Sequence, residues 1–270
     1  MTSYFKIGFL QILNILAFVA MVLVNGLADF LPINGQTTGA ISDQYPNLFV
    51  PAPITFSIWA VIYSLLFLFC IYQGSTLFES EKRYTDKKER IVEKIGYGFL
   101  LSCVLNIAWI LAWHYHLLLL SVLIMLGLLV TLAIIVEKLY ARAEYTGQEK
   151  WFVYVPFSIY LGWISIATIA NITAYLVSIG WNGWGLDPAA WACIMIIAGT
   201  TLGVMVLFRK NNIFFTIALI WAFIGIAIKQ HDASNGFNRI ALTALGGALL
   251  LLLLAVLKMK KLRPVQKQVV

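Results

Sequence analysis

Eight apolar runs, at about 7–29, 54–74, 95–113, 117–137, 152–179, 189–208, 213–229 and 239–257, leave this chain few folds to choose from. Each approaches the roughly 20 residues that a helix needs to cross the hydrocarbon core of a bilayer. In lipid, every unpaired backbone N–H or C=O costs several kcal/mol, so a spanning segment must be a helix or a strand of a closed barrel. Barrel strands alternate in polarity, and the run at 117–136 does not. The fold class expected is therefore all-α, a polytopic membrane helical bundle of about eight spans. Only 11% of the 270 residues are charged, against about 25% in a soluble domain. No separate soluble domain fits beside the spans. The first run is longer than the apolar region of a secretory signal and no small-x-small cleavage site follows it, so it reads as a retained first helix.

Charge gives the orientation. If the N-terminus lies in the cytoplasm, the segments on that side hold Lys6, then Lys82, Arg83, Lys87, Lys88, Arg90 and Lys94, then Lys138, Arg142 and Lys150, then Arg209 and Lys210, and last Lys258, Lys260, Lys261, Arg263 and Lys267. Those are 17 of the 19 basic residues, with only Lys229 and Arg239 on the other side. Cytoplasmic loops accumulate Lys and Arg, so both termini are expected inside, as in a bacterial cytoplasmic membrane. The net charge of +7 is thus spread over loop clusters, and nucleic acid is not an expected partner.

Several chemistries lack their residues. Asp29, Glu137 and Lys229 stand at span ends, where a long side chain reaches water cheaply, so no span offers the midplane ionisable group of an ion-coupled carrier. No P-loop, HExxH, GxSxG or CxxC pattern occurs, and Cys70, Cys103 and Cys193 have neither metal-site nor disulfide spacing. No catalytic residue and no metal ligand is assigned, and no enzymatic activity is expected. His114 and His116, in a short external turn, are read as rim residues. The external connection at 30–53 is long and carries Pro46, Pro51 and Pro53 without a basic residue. Such a loop is either functional or a plain connector.

The aromatic residues are ordered. Phe56, Trp59 and Tyr63 share one face of the second span, as do Asn106, Trp109 and Trp113 in the third and Tyr160, Trp163, Ala167 and Asn171 in the fifth. An amide inside an apolar span needs a partner, so Asn106 and Asn171 face the bundle interior and carry the tryptophans of their faces inward with them. Two readings remain open from the residues alone. The faces either line a pocket for a flat apolar ligand, or pack the helices with the amides as interhelical ties.

These same segments carry a resemblance. Pro51 through Phe56, Trp59 and Tyr63 is similar to the segment of the TspO/MBR family (the tryptophan-rich sensory proteins) in which a proline-rich loop enters the second helix. Leu105-Asn106 with Trp109 is similar to that family's LNxxW, and Trp163, Ala167 and Asn171 to its WxxFAxxLN, all in family order. The chain departs from the family in the first loop, where Gln44-Tyr45-Pro46 stands without a tryptophan, and in Pro156, which lies seven residues before Trp163.

The resemblance covers residues 1–180 and implies a five-helix core, followed at 181–270 by three additional spans and a basic tail. It implies a ligand-binding or sensory membrane protein with an intramembrane aromatic pocket for a tetrapyrrole or sterol-like lipid. Trp59, Asn106, Trp109, Trp163 and Ala167 would line that pocket, with Tyr63 and Asn171 in support and residues 45–53 as its lid. A porphyrin would be ligand rather than cofactor. The rival expectation is a transporter or permease component for a small hydrophobic solute, motivated by the three extra spans. Those spans read equally as scaffold or as the surface of a homodimer.

Overall fold

The computed structural model describes residues 2–75, 77, 86–141, 145–234 and 238–262, and every regular element among them is helical. In chain order the α-helices are α1 (Thr2–Phe30), α2 (Thr38–Asp43), α3 (Ile58–Gly74), α4 (Asp86–Ile95), α5 (Gly98–His114), α6 (Leu118–Tyr140), the single turn α7 (Gly147–Glu149), α8 (Val155–Ser178), α9 (Pro188–Lys210), α10 (Ile213–Ser234) and α11 (Arg239–Leu262). Seven of the described helical stretches are long and apolar enough to span a bilayer, and they contain α1, α3, α6, α8, α9, α10 and α11. The eighth span is α5, whose 17 residues rise about 26 Å at 1.5 Å per residue, close to a hydrocarbon core of about 30 Å. The eight-span bundle expected from hydropathy is the fold observed. Of the basic residues used to orient the chain, Lys82, Arg83, Arg142, Arg263 and Lys267 lie outside the described residues.

The most buried of the seven long spans is α8, which packs against α3, α6 and α10, while α9 and α11 lie further out. Where α8 meets α10 the backbones almost touch. A Cβ built on Gly162 would stand 2.5 Å from the carbonyl oxygen of Phe215 and 2.9 Å from the Cβ of Ala218. The turn between α9 and α10 is tied to the same helix. Asn211 ends α9 in the left-handed conformation, and buried Asn212 accepts from the N–H of Phe215 while donating to Ser158 Oγ at 3.0 Å. The last three spans are thus packed directly onto the first five.

The basic end of the bundle is tied by charge. Lys210 meets Glu137 at 2.7 Å and lies over the ring of Tyr140, joining the ends of α6 and α9. Short, charged α4 escapes a search for apolar runs, yet it buries Ile91, Val92 and Ile95. Val92 packs with Ile7 and Leu10 of α1.

At the opposite end the loop from Leu31 to Ala52 is ordered rather than slack, containing α2 and a turn that leads through Pro53 into α3. It corrects the reading of His114 as a rim residue. That side chain is fully buried, because the loop folds over the end of α5 and supplies partners on both sides of its ring. Nε2 lies 3.1 Å from Thr38 Oγ1, and Nδ1 lies 3.0 Å from the carbonyl of Ile33. The carbonyl of His114 accepts from Asn34 Nδ2 at 3.0 Å. His116, in the following turn, pairs with the hydroxyl of Tyr45 at 2.8 Å. Both histidines therefore fasten the first loop to the α5–α6 turn.

Candidate functional site

Three helix faces and one loop converge beneath this cover. Tyr63, Trp59, Trp109 and Trp113 follow one another as near-parallel rings, with successive centroids 5.5, 6.3 and 6.1 Å apart. Trp163 stands edge-on to this row, 6.2 Å from Trp59 and 6.0 Å from Phe56. Offset-parallel and edge-to-face rings at such separations are the favourable arrangements for aromatic quadrupoles.

The two asparagines singled out in the third and fifth spans are committed to structure. Asn106 accepts from Asn25 Nδ2 at 2.7 Å and donates to the hydroxyl of Tyr160 at 3.0 Å, joining α1, α5 and α8. Asn171 accepts from the indole N–H of Trp109 at 2.7 Å and donates to Ser121 Oγ at 2.8 Å, joining α8, α5 and α6. An amide that satisfies both a donor and an acceptor this way specifies which helix faces meet. Replacing Asn171 with leucine strands the N–H of Trp109 and takes a donor from Ser121 Oγ, which keeps its own bond to the carbonyl of Leu118. We expect a loss of about 1–2 kcal/mol, within the range for orphaned buried polar groups. It should show as a melting midpoint lowered by several degrees in detergent, and an unchanged midpoint would contradict the tie.

A cavity of about 50 Å³ lies among these groups, lined by Trp59, Trp109, Trp113 and Trp163, by Phe56, Ile166, Ala167, Ala170 and Asn171, and on the loop side by Thr38, Ser42, Val50 and Pro51. Of the residues singled out in the sequence, Trp59, Trp109, Trp163, Ala167 and Asn171 reach the lining. Asn106 and Tyr63 do not; they sit beside it, Asn106 within the tie to α1 and α8, and Tyr63 behind Trp59. Thr38 and Ser42 carry no sequence signal, because α2 brings them over the cavity by tertiary packing alone. Asn25 and Ser121 do carry one, since both are polar residues in apolar runs and fall under the argument applied to Asn106.

Among the buried polar side-chain atoms of this site, the indole N–H of Trp163 has no hydrogen-bond partner. The other tryptophans with described bonds here are satisfied: Trp109 by Asn171, and Trp113 by the carbonyl of Thr38 at 3.2 Å. Burying an indole donor without a partner is unfavourable, and a native protein that does so leaves a group needing an explanation. The lining contains no carboxylate, imidazole, thiol or amine. Among the described residues no cluster of His, Cys, Asp and Glu is fit to hold a metal ion.

Fold and site together define a polytopic α-helical membrane protein with an aromatic cavity roofed by its first loop. The chain belongs to the TSPO-like protein family, whose model matches residues 11–257 and so runs through the last three spans as well as the first five. No curated protein and no solved structure matches it.

Proposed function

We propose that this protein binds a flat, largely apolar ligand, a tetrapyrrole or a sterol-like lipid carrying a hydrogen-bond acceptor, in the aromatic cavity beneath the first loop. The observation that carries this reading is the unpartnered indole N–H of Trp163 in the wall of a cavity otherwise built of rings and small apolar side chains. Flat rings slide between aromatic faces at little cost, and one unspent donor fixes their orientation. Family membership supports a membrane ligand-binding or sensory role in general. A lining without acid, base or thiol supports binding over catalysis. The basic residues favour a bacterial cytoplasmic membrane with both termini inside.

Volume sets a condition on this reading. Pockets for drug-sized ligands hold about 300 Å³ or more, and the cavity holds about 50 Å³. A tetrapyrrole enters only if a wall moves. The helix walls are cross-tied by Asn106 and Asn171, which leaves the loop side, with Thr38, Ser42, Val50 and Pro51, as the wall to give way.

Ala167, one of two alanines in the lining, supplies the test. Replacement by leucine projects an isobutyl group into the cavity, and misfit on that scale typically weakens binding about tenfold or more. Equilibrium binding of protoporphyrin IX and of a sterol, to protein in nanodiscs, should show this loss for Ala167→Leu with the melting midpoint held. Equal affinity for variant and wild type would count against the site.

A further inference from the structure

The loop stretch that closes the cavity is held by α10. Val50 and Pro51 form this part of the roof, and three hydrogen bonds bracket them. Gln230 Nε2 donates to the carbonyl of Leu48 at 3.0 Å, the N–H of Ala52 donates to the carbonyl of Gly225 at 2.9 Å, and the indole of Trp221 donates to the carbonyl of Thr55 at 2.9 Å. The remaining described hydrogen bonds of residues 48–55 are local. Phe49 and Val50 donate to Asn47 Oδ1, and Thr55 donates to Ala52. Apart from the N–H of Ile58, which bonds the carbonyl of Thr55 where the loop enters α3, no described hydrogen bond ties this stretch to α1, α3, α5, α6 or α8. The α2 half of the roof is different, being fastened to the α5 end through Thr38, His114 and Trp113.

Gly225 makes the close docking feasible. A Cβ there would stand 1.9 Å from Thr55 Oγ1, so the backbone of α10 lies directly against the loop. Lys229, 3.6 Å from Asp43, adds an exposed ion pair, which contributes little by itself. The extra spans are thus joined to the cavity by its roof. Since α10 is also packed between α8 and the outer helices α9 and α11, its position is set from both sides.

We infer that α10 is the latch of the cavity, with Trp221, Gly225 and Gln230 as positioning residues that hold Val50 and Pro51 shut, so that the last three spans govern access to the site. As a statement about ligand access this rests on the reading above; as a statement about the loop it does not. Each bond is worth on the order of 1 kcal/mol net, so freeing one multiplies the open population several-fold and freeing two multiplies it roughly tenfold or more. The linkage is reciprocal: whatever displaces α10 opens the roof, and a ligand that needs the roof open displaces α10.

The test places a cysteine under the roof. Val50 is 5% exposed, so a cysteine there reacts with a water-soluble thiol reagent only when the roof lifts. In full-length protein in nanodiscs, with Cys193 replaced by serine, the labelling rate of Val50→Cys is compared with and without Gln230→Leu, Trp221→Phe and the pair. The latch requires the rate to rise several-fold for each single change and about tenfold or more for the pair, at a melting midpoint well above the assay temperature. Rates within twofold of the parent for the pair would overturn it. A parallel measurement of protoporphyrin IX dissociation should quicken in the pair with Val50 intact. If wild type binds neither porphyrin nor sterol, the ligand reading fails while the labelling result still decides the latch.

Discussion

Replacing Gly162 with valine is expected to cost about 3 kcal/mol of stability, the upper end of the ordinary cost of overpacking a core. Most small-to-large changes are softened because a neighbouring side chain rotates away. Here the first obstacle is the carbonyl oxygen of Phe215, 2.5 Å from the added Cβ, and the second is the Cβ of Ala218, so only a shift of α10 as a body relieves the clash. That shift would disturb Asn212 against Ser158 and the roof contacts of Gly225 and Gln230. For a chain of this size the melting midpoint should fall by roughly 5–10 °C. Gly26→Val is the control, because a Cβ at Gly26 meets nothing within 4 Å. Equal midpoints for the two variants would contradict the close crossing of α8 and α10.

The spans were readable because lipid removes choice. A run of about 20 apolar residues in a bilayer has only the helix open to it, and the amides within such runs must turn inward. That argument put Asn106 and Asn171 inside, and their helix periodicity placed Trp59, Trp109 and Trp163 around one cavity. It stopped short of saying that both amides are spent on helix ties. Which partner a buried amide finds depends on helix positions that no local pattern encodes. The same holds for His114: its burial comes from a loop some 80 residues earlier in the chain folding over the end of α5. The α10 contacts were further out of reach. Trp221 reads as one more apolar residue in its run and Gln230 as a polar residue at a span end, and their partners lie 166 and 182 residues away. Short α4 was missed because its apolar residues are too few and its charges too many for a hydropathy window, although Ile91, Val92 and Ile95 mark one helical face.

Trp163 carries the second large effect. Phenylalanine at this position keeps a ring against Trp59 and Phe56 and removes only the N–H, while alanine removes both. If the unspent donor meets an acceptor on the ligand, Trp163→Phe loses one hydrogen bond in a water-poor site, about 1–1.5 kcal/mol or roughly tenfold in affinity. Trp163→Ala also loses an aromatic face and should weaken binding further, by about thirtyfold or more. This graded order separates a specific contact from general greasiness, since a ligand partitioning into lipid or detergent ignores the substitution.

The most direct test of the ligand cavity is therefore a titration of the protein in nanodiscs with protoporphyrin IX, following the porphyrin's own emission, for wild type, Trp163→Phe and Trp163→Ala. The cavity predicts saturable one-site binding in wild type, about tenfold weaker in the phenylalanine variant and weaker again in the alanine variant. Binding of equal strength in all three, or no saturable binding of either a porphyrin or a sterol to wild type, would contradict it.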